Sequence, residues 1–134
     1  MKKLAFISSD AAEARNAAAK LTGQYGGVAV EDADIVVALG GDGFMLATLH
    51  ANMNSGRRSS GMNRGSVGFL MNEFKAEGLH ERIAAATPET IRPLEMTAIN
   101  MAGRLPRLSP PRKKRPKLAS IEIAPAMVAV IVMI

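Results

Sequence analysis

The chain reads as an α/β domain with a parallel sheet flanked by helices. Three observations predict this. The apolar runs Lys3 to Ser8 and Asp34 to Leu39 are short and do not alternate, as expected of strands buried on both faces. Segments with helical spacing follow them. Glycines gather where a strand gives way to a helix, most clearly at Gly40-Gly41-Asp42-Gly43.

Lys3 to Ser8 forms the first strand. Ser9 or Asp10 is placed to cap a helix, and Asp10 with Glu13 resembles a capping box. The helix runs to about Tyr25, with Ala14, Ala17, Ala18 and Leu21 on one face, and Gly26-Gly27 ends it. Val28 to Val30 reads as a short strand, and Asp34 to Leu39 as the strand leading to the glycines. A second helix runs from Phe44 to about Met53, burying Met45, Leu46, Leu49 and Met53, and Asn54-Ser55-Gly56 closes it. A second glycine-rich stretch, Gly61-Met62-Asn63-Arg64-Gly65-Ser66-Val67-Gly68-Phe69-Leu70, precedes a third helix over Glu77 to Ala86.

Composition narrows the chemistry. With 48% hydrophobic but only 4% aromatic residues and no Trp, the core must be built from Ala, Val, Ile, Leu and Met. The lack of cysteine excludes disulfides, thiolate metal sites and cysteine nucleophiles, and fits the reducing cytosol. No segment reaches the roughly 18 to 20 apolar residues of a membrane span, and Met1 to Ser8 is too short in its apolar run for a signal peptide. The basic character is local. Residues 1–98 hold 10 Lys/Arg against 11 Asp/Glu, whereas residues 99–134 hold 7 against 1. The main part of the chain therefore has no bias toward nucleic acid.

Ligands of parallel sheets bind beyond the carboxyl ends of the strands, which is where Asp42 should lie. Backbone N–H groups of a glycine-rich turn before a helix can receive phosphate oxygens. A carboxylate in that position would repel phosphate, so it suits accepting a proton from a hydroxyl or helping to place a cation. The competing reading is a tight turn in which Asp42 only caps the next helix. His50 reads as a surface histidine and Arg64 as a solvated charge.

The two glycine-rich elements together resemble the NAD kinase family, which phosphorylates NAD to NADP with ATP or polyphosphate. Gly40-Gly41-Asp42-Gly43 alone is shared with diacylglycerol- and sphingosine-type lipid kinases and with 6-phosphofructokinases. Gly61-Met62-Asn63-Arg64-Gly65-Ser66-Val67-Gly68-Phe69-Leu70 is more particular to NAD kinases. The resemblance covers about residues 1–98, through Met71-Asn72-Glu73 and Pro93-Leu94-Glu95-Met96. It implies a Rossmann-like N-terminal domain of the NAD kinase and phosphofructokinase type. It also implies that Asp42 is the general base for the adenosine-ribose 2′-hydroxyl. Gly43 would sit against NAD, Gly41 would leave room for phosphate, and Phe69 would pack near the nucleotide. Asn63, Gly65 and Gly68 would shape the loop beneath it. Mg²⁺ or another divalent metal, a homo-oligomer and a cytoplasmic location are implied in the same way, with no protein metal ligands assigned. Asn72-Glu73 belongs to the loop continuation and is not given the role of the family's nucleotide-binding Asn-Glu motif.

Two departures accompany the resemblance. Arg57-Arg58-Ser59-Ser60 stands where the family has Pro and apolar residues, and makes poor material for a buried strand, so sheet order is in doubt near 57–62. Residues 99–134 do not continue the α/β pattern, and the family's β-rich C-terminal domain is missing. They comprise a Pro- and Arg/Lys-rich stretch, Arg104 to Lys117, and a nearly apolar end. The tail reads as an out-of-frame extension, which leaves two readings of the chain open: an NAD kinase, or at least its N-terminal catalytic half, and an incomplete, inactive form of it. The alternatives are a lipid kinase sharing the Gly-Gly-Asp-Gly turn, or a non-enzymatic fragment with a nucleic-acid-binding tail. If left free, the apolar end, Ala126 to Ile134, would be prone to aggregate.

Overall fold

The computed structural model describes residues 1–64, 68–92, 94–100, 118–125 and 129–133, with side chains described in the first two of these ranges. Strand β1 (Leu4–Ser8) leads into helix α1 (Ala12–Tyr25), a short 3₁₀ turn (Val30–Asp32) and strand β2 (Ile35–Leu39). Helix α2 (Asp42–Ala51), strand β3 (Arg58–Asn63), the two-residue strand β4 (Asn72–Glu73) and helix α3 (Leu79–Ala85) follow. Strands β5 (Thr87–Ile91), β6 (Leu94–Asn100), β7 (Leu118–Pro125) and β8 (Ala129–Met133) complete the described elements.

The chain divides into two compact units, Met1–Ile91 with Val128–Ile134, and Arg92–Met127. The second contains the antiparallel pair β6–β7, in register from Leu94↔Pro125 to Asn100↔Leu118 with an irregularity at Ile99/Asn100. The first holds a sheet ordered β1-β2-β3-β8-β5, with β4 also pairing with β3. Neighbours from β1 through β3, together with β4 and β8 on β3, run parallel, and β5 is antiparallel to β8. The parallel α/β architecture read from the apolar runs is therefore present. The basic stretch Arg104 to Lys117 lies outside the described residues. The apolar residues 129–133, read from sequence as part of a tail, are paired between β3 and β5.

β2 is buried at every position, and its alternation divides the core in two. Ile35, Val37 and Leu39 face α1 and α3, packing with Ala14, Ala17, Leu21, Leu79 and Ile83. Ala38 faces the other way, toward Met45 and Leu49 of α2 and Met71. Tyr25 ties the two helices of the first face together. Its hydroxyl donates to the Ala76 carbonyl at 2.5 Å and accepts the Leu79 N–H at 3.2 Å. Gly26 ends α1 with φ 69°, a backbone state that glycine adopts without strain.

Four local expectations are corrected. α1 begins at Ala12 with Ala11 in the cap position and no side-chain cap bond. Asp10 falls outside that position, and its carbonyl accepts the Arg15 guanidinium instead. Val28 to Val30 is not a strand: Val28 N–H bonds to the Leu4 carbonyl at 3.0 Å, after which the chain curls into the 3₁₀ turn. Leu46 is 55% exposed, and Thr48 takes a buried place on α2, its hydroxyl satisfied by the Phe44 carbonyl at 2.9 Å.

The fourth correction concerns Arg57 to Ser60. β3 forms despite its sequence, because fully buried β2 offers it a complete ladder from Ile35↔Arg58 to Leu39↔Met62. A cost remains. Ser59 and Ser60 are 1% and 0% exposed, and among the described residues their hydroxyls have no hydrogen-bond partner. An unpaired buried hydroxyl costs about 1–3 kcal/mol. Ser60→Ala is therefore expected to raise the urea midpoint, by a stability gain of about 1 kcal/mol; a lowered midpoint would contradict the burial argument. Tyr25→Phe, which removes a donor and an acceptor at once, should lower stability by about 1–3 kcal/mol in the same titration.

Candidate functional site

The carboxyl ends of β1, β2 and β3 meet at one edge, and backbone hydrogen bonds fix their relative heights. Ser9 N–H donates to the Leu39 carbonyl at 2.9 Å, and Gly40 N–H to the Met62 carbonyl at 3.2 Å. Gly40 lies close under Phe44: a Cβ there would stand 3.1 Å from Ser9 Oγ and 3.2 Å from Phe44 Cβ. Gly41 takes the cap position of α2 in extended conformation, and the Met45 N–H closes the first helical turn on its carbonyl at 3.1 Å. Asp42 is thus the first residue of α2. The reading of Asp42 as a mere helix cap does not hold, since the cap is Gly41 and has no side-chain bond.

The Asp42 side chain reaches the second glycine-rich stretch. Phe69 N–H donates to Oδ2 at 2.9 Å and Leu70 N–H to Oδ1 at 3.1 Å. One backbone amide thus holds each carboxylate oxygen. Gly68 makes this approach possible. A Cβ on Gly68 would fall 2.6 Å from the Asp42 carboxyl carbon, inside any permitted contact. A carboxylate offers about four lone-pair directions. The two amides use one on each oxygen, which leaves a further direction on each for a hydroxyl.

The other sequence-derived residues fall around this pair. Gly41 and Gly43 have open space where a side chain would stand. Phe69 is 95% exposed, so its ring takes no part in the core, whereas Leu70 packs against the α2 side of the core. Asn63 lies at the end of β3 and, with Gly40, Gly41 and Arg64, lines a cavity of about 140 Å³ that also touches Ser9 and Glu13 at the start of α1. Gly65 lies outside the described residues. Arg64 is exposed, with its guanidinium carbon 5.1 Å from the Phe74 ring centroid, and His50 is exposed. Among the described residues no three His, Asp or Glu side chains cluster as a metal site, and no helix is long and apolar enough to cross a membrane.

No family model matches the chain. Individual proteins do. It is 56% identical over 100 residues to an NAD kinase of Mesorhizobium japonicum and 55% identical over 100 residues to one of Rhizobium meliloti, in each case 75% of this chain and 39% of the relative. An NAD kinase of Brucella suis is 61% identical over 95 residues, 71% of this chain and 37% of the relative. Over that length the chain belongs to the NAD kinase family, as its N-terminal part. It spans about two fifths of the length of these NAD kinases.

Sequence reasoning singled out Asp42 and Gly68 separately but missed their contact. It also missed the Leu70 amide, because a backbone donor leaves no signature in residue type. Gly68→Ala is expected to displace the Asp42 carboxylate and to destabilise the loop by about 1–3 kcal/mol, as overpacking does. Phe69→Ala should leave the unfolding midpoint within about 0.5 kcal/mol of the original, as for an exposed side chain. Thermal unfolding of the two variants side by side checks both, and equal effects would contradict the packing described.

Proposed function

We propose that this chain carries the catalytic half of an NAD kinase, with Asp42 as general base. The 2′-hydroxyl of the adenosine ribose of NAD gives its proton to Asp42 as its oxygen attacks the terminal phosphorus of ATP or polyphosphate. The bond from that phosphorus to the donor's bridging oxygen breaks. NADP and ADP, or a shortened polyphosphate, are the products.

The observation that carries this reading is the Asp42 carboxylate, fixed by the Phe69 and Leu70 amides at the carboxyl end of a buried strand. A base held by backbone donors loses little freedom when it meets its hydroxyl, and positioning is most of what phosphoryl transfer asks of a protein. The open space over Gly41 and Gly43 supports close approach of phosphate and ribose to the main chain. The exposed Phe69 ring gives the nucleotide base a face to stack on, an interaction worth about 1–3 kcal/mol per base.

A divalent metal such as Mg²⁺ would supply charge neutralisation on the donor phosphates. The described residues do not by themselves assemble a site for it. Association of copies and a cytoplasmic setting belong to the same reading.

The test is NADP formation by the purified chain with NAD, Mg²⁺ and ATP or polyphosphate. Asp42→Asn is expected to lower the rate by about 10²- to 10⁴-fold, the usual worth of a general base. It should also lower the unfolding midpoint, by about 1–3 kcal/mol of stability, because its Nδ2 group sets a donor against the Phe69 or Leu70 amide. No NADP with either donor, or full activity in Asp42→Asn, would overturn the proposal.

A further inference from the structure

Strands β8 and β4 share the far edge of β3. β8 pairs with Arg58 and Ser59, and β4 with Met62 and Asn63, which leaves Ser60 and Gly61 between the two pairings. The Gly61 carbonyl at this gap accepts a hydrogen bond from the Asn72 side chain, Nδ2 to O 2.8 Å. Asn72 is 9% exposed, so this bond is shielded from water.

Asn72 lies two residues beyond Leu70, and the chain between them is held closely. A Cβ on Gly61 would come within 3.1 Å of both the Leu70 carbonyl oxygen and Met45 Sδ, and would overlap Met71 Sδ. The loop therefore lies flat on the glycine of β3. The contacts close a ring. Gly40 N–H bonds to Met62 of β3, Asp42 receives the Phe69 and Leu70 amides, and Asn72 returns the loop to Gly61, next to Met62. Along the backbone the return rests on β4, which is only two residues long, and on the Phe74 N–H to the Asn63 carbonyl at 3.0 Å.

We infer that Asn72 is a positioning residue: its bond to Gly61 aims the Phe69 and Leu70 amides at Asp42. The inference rests on Asp42 being the catalytic base, but its geometric content can be tested separately. A donor is required at 72 because the partner is a carbonyl. Ionised Asp at 72 would set an acceptor against an acceptor. Buried pairs of this kind cost most when one partner is removed.

Amide hydrogen exchange on the full chain decides the matter. In Asn72→Ala the Phe69 and Leu70 amides should exchange about tenfold faster or more, while those of β2 keep their protection. Unchanged protection at Phe69 and Leu70 would overturn the inference. The unaltered chain gives a check that does not depend on the variant folding. The Asn72 Nδ2 proton should exchange about tenfold or more slowly than that of exposed Asn16, and equal rates would also overturn it. In the kinetic arm, Asn72→Ala should lower kcat with KM for NAD little changed, and should cause no further loss in an Asp42→Asn background. A drop of the same factor in both backgrounds would mean that Asn72 acts independently of Asp42. A chain that makes no NADP defeats the kinase proposal, and the exchange measurements still decide the role of Asn72.

Discussion

The meeting of the Asp42 carboxylate with two consecutive backbone amides is the constraint on which the rest of this site depends. An anion at the end of a buried strand needs donors, and here they come from the main chain rather than from a basic side chain. Main-chain donors cannot swing away, so the loop that carries them must be placed to within a fraction of an ångström. The glycines at 61 and 68 follow from that demand. One lets the loop lie on β3, and the other lets the carboxylate lie on the loop. The sulfur atoms of Met45 and Met71 fill the space beside Gly61, where thioethers suit an irregular gap.

The same demand accounts for the uneven quality of the sheet. β2 is ideal, apolar and completely buried, and it supports its neighbours on both sides. β3 is poor by composition, with two arginines just at or before its start and two serines in its middle, yet it runs in full register with β2. Its value to the site lies at its far end. There the Met62 carbonyl receives the Gly40 amide and the Gly61 carbonyl receives Asn72. Stability lost at Ser59 and Ser60 is offset by a neighbour that could template almost any extended segment.

Much of this could be read in the residues. Non-alternating apolar runs gave the buried strands, and the two glycine-rich stretches pointed to one edge of the sheet. What could not be read was of two kinds. Helix ends depend on which residue first adopts helical angles, and Asp10 and Ser9 are equally plausible caps until the chain's path is known. Contacts made through the main chain, such as those of Phe69 and Leu70, are invisible to residue type. Asn72 was passed over because its dipeptide invited comparison with a motif that belongs elsewhere in the family. Leu46 shows the opposite error: an apolar residue in the helical stripe that the turn of α2 leaves in solvent.

The ring of contacts around Asp42 runs from Gly40 to Asn72 and so lies on one contiguous stretch of chain. β8, which covers the other part of the β3 edge, comes from Ala129–Met133, far downstream of Asn72 in the chain. Chains emerge from synthesis N-terminus first and slowly compared with local folding. The parts that place the carboxylate are therefore all available before the strand that closes the sheet has been synthesised. During that interval β3 has one satisfied edge and one partly open edge. The order of assembly puts the site ahead of the completion of its own sheet.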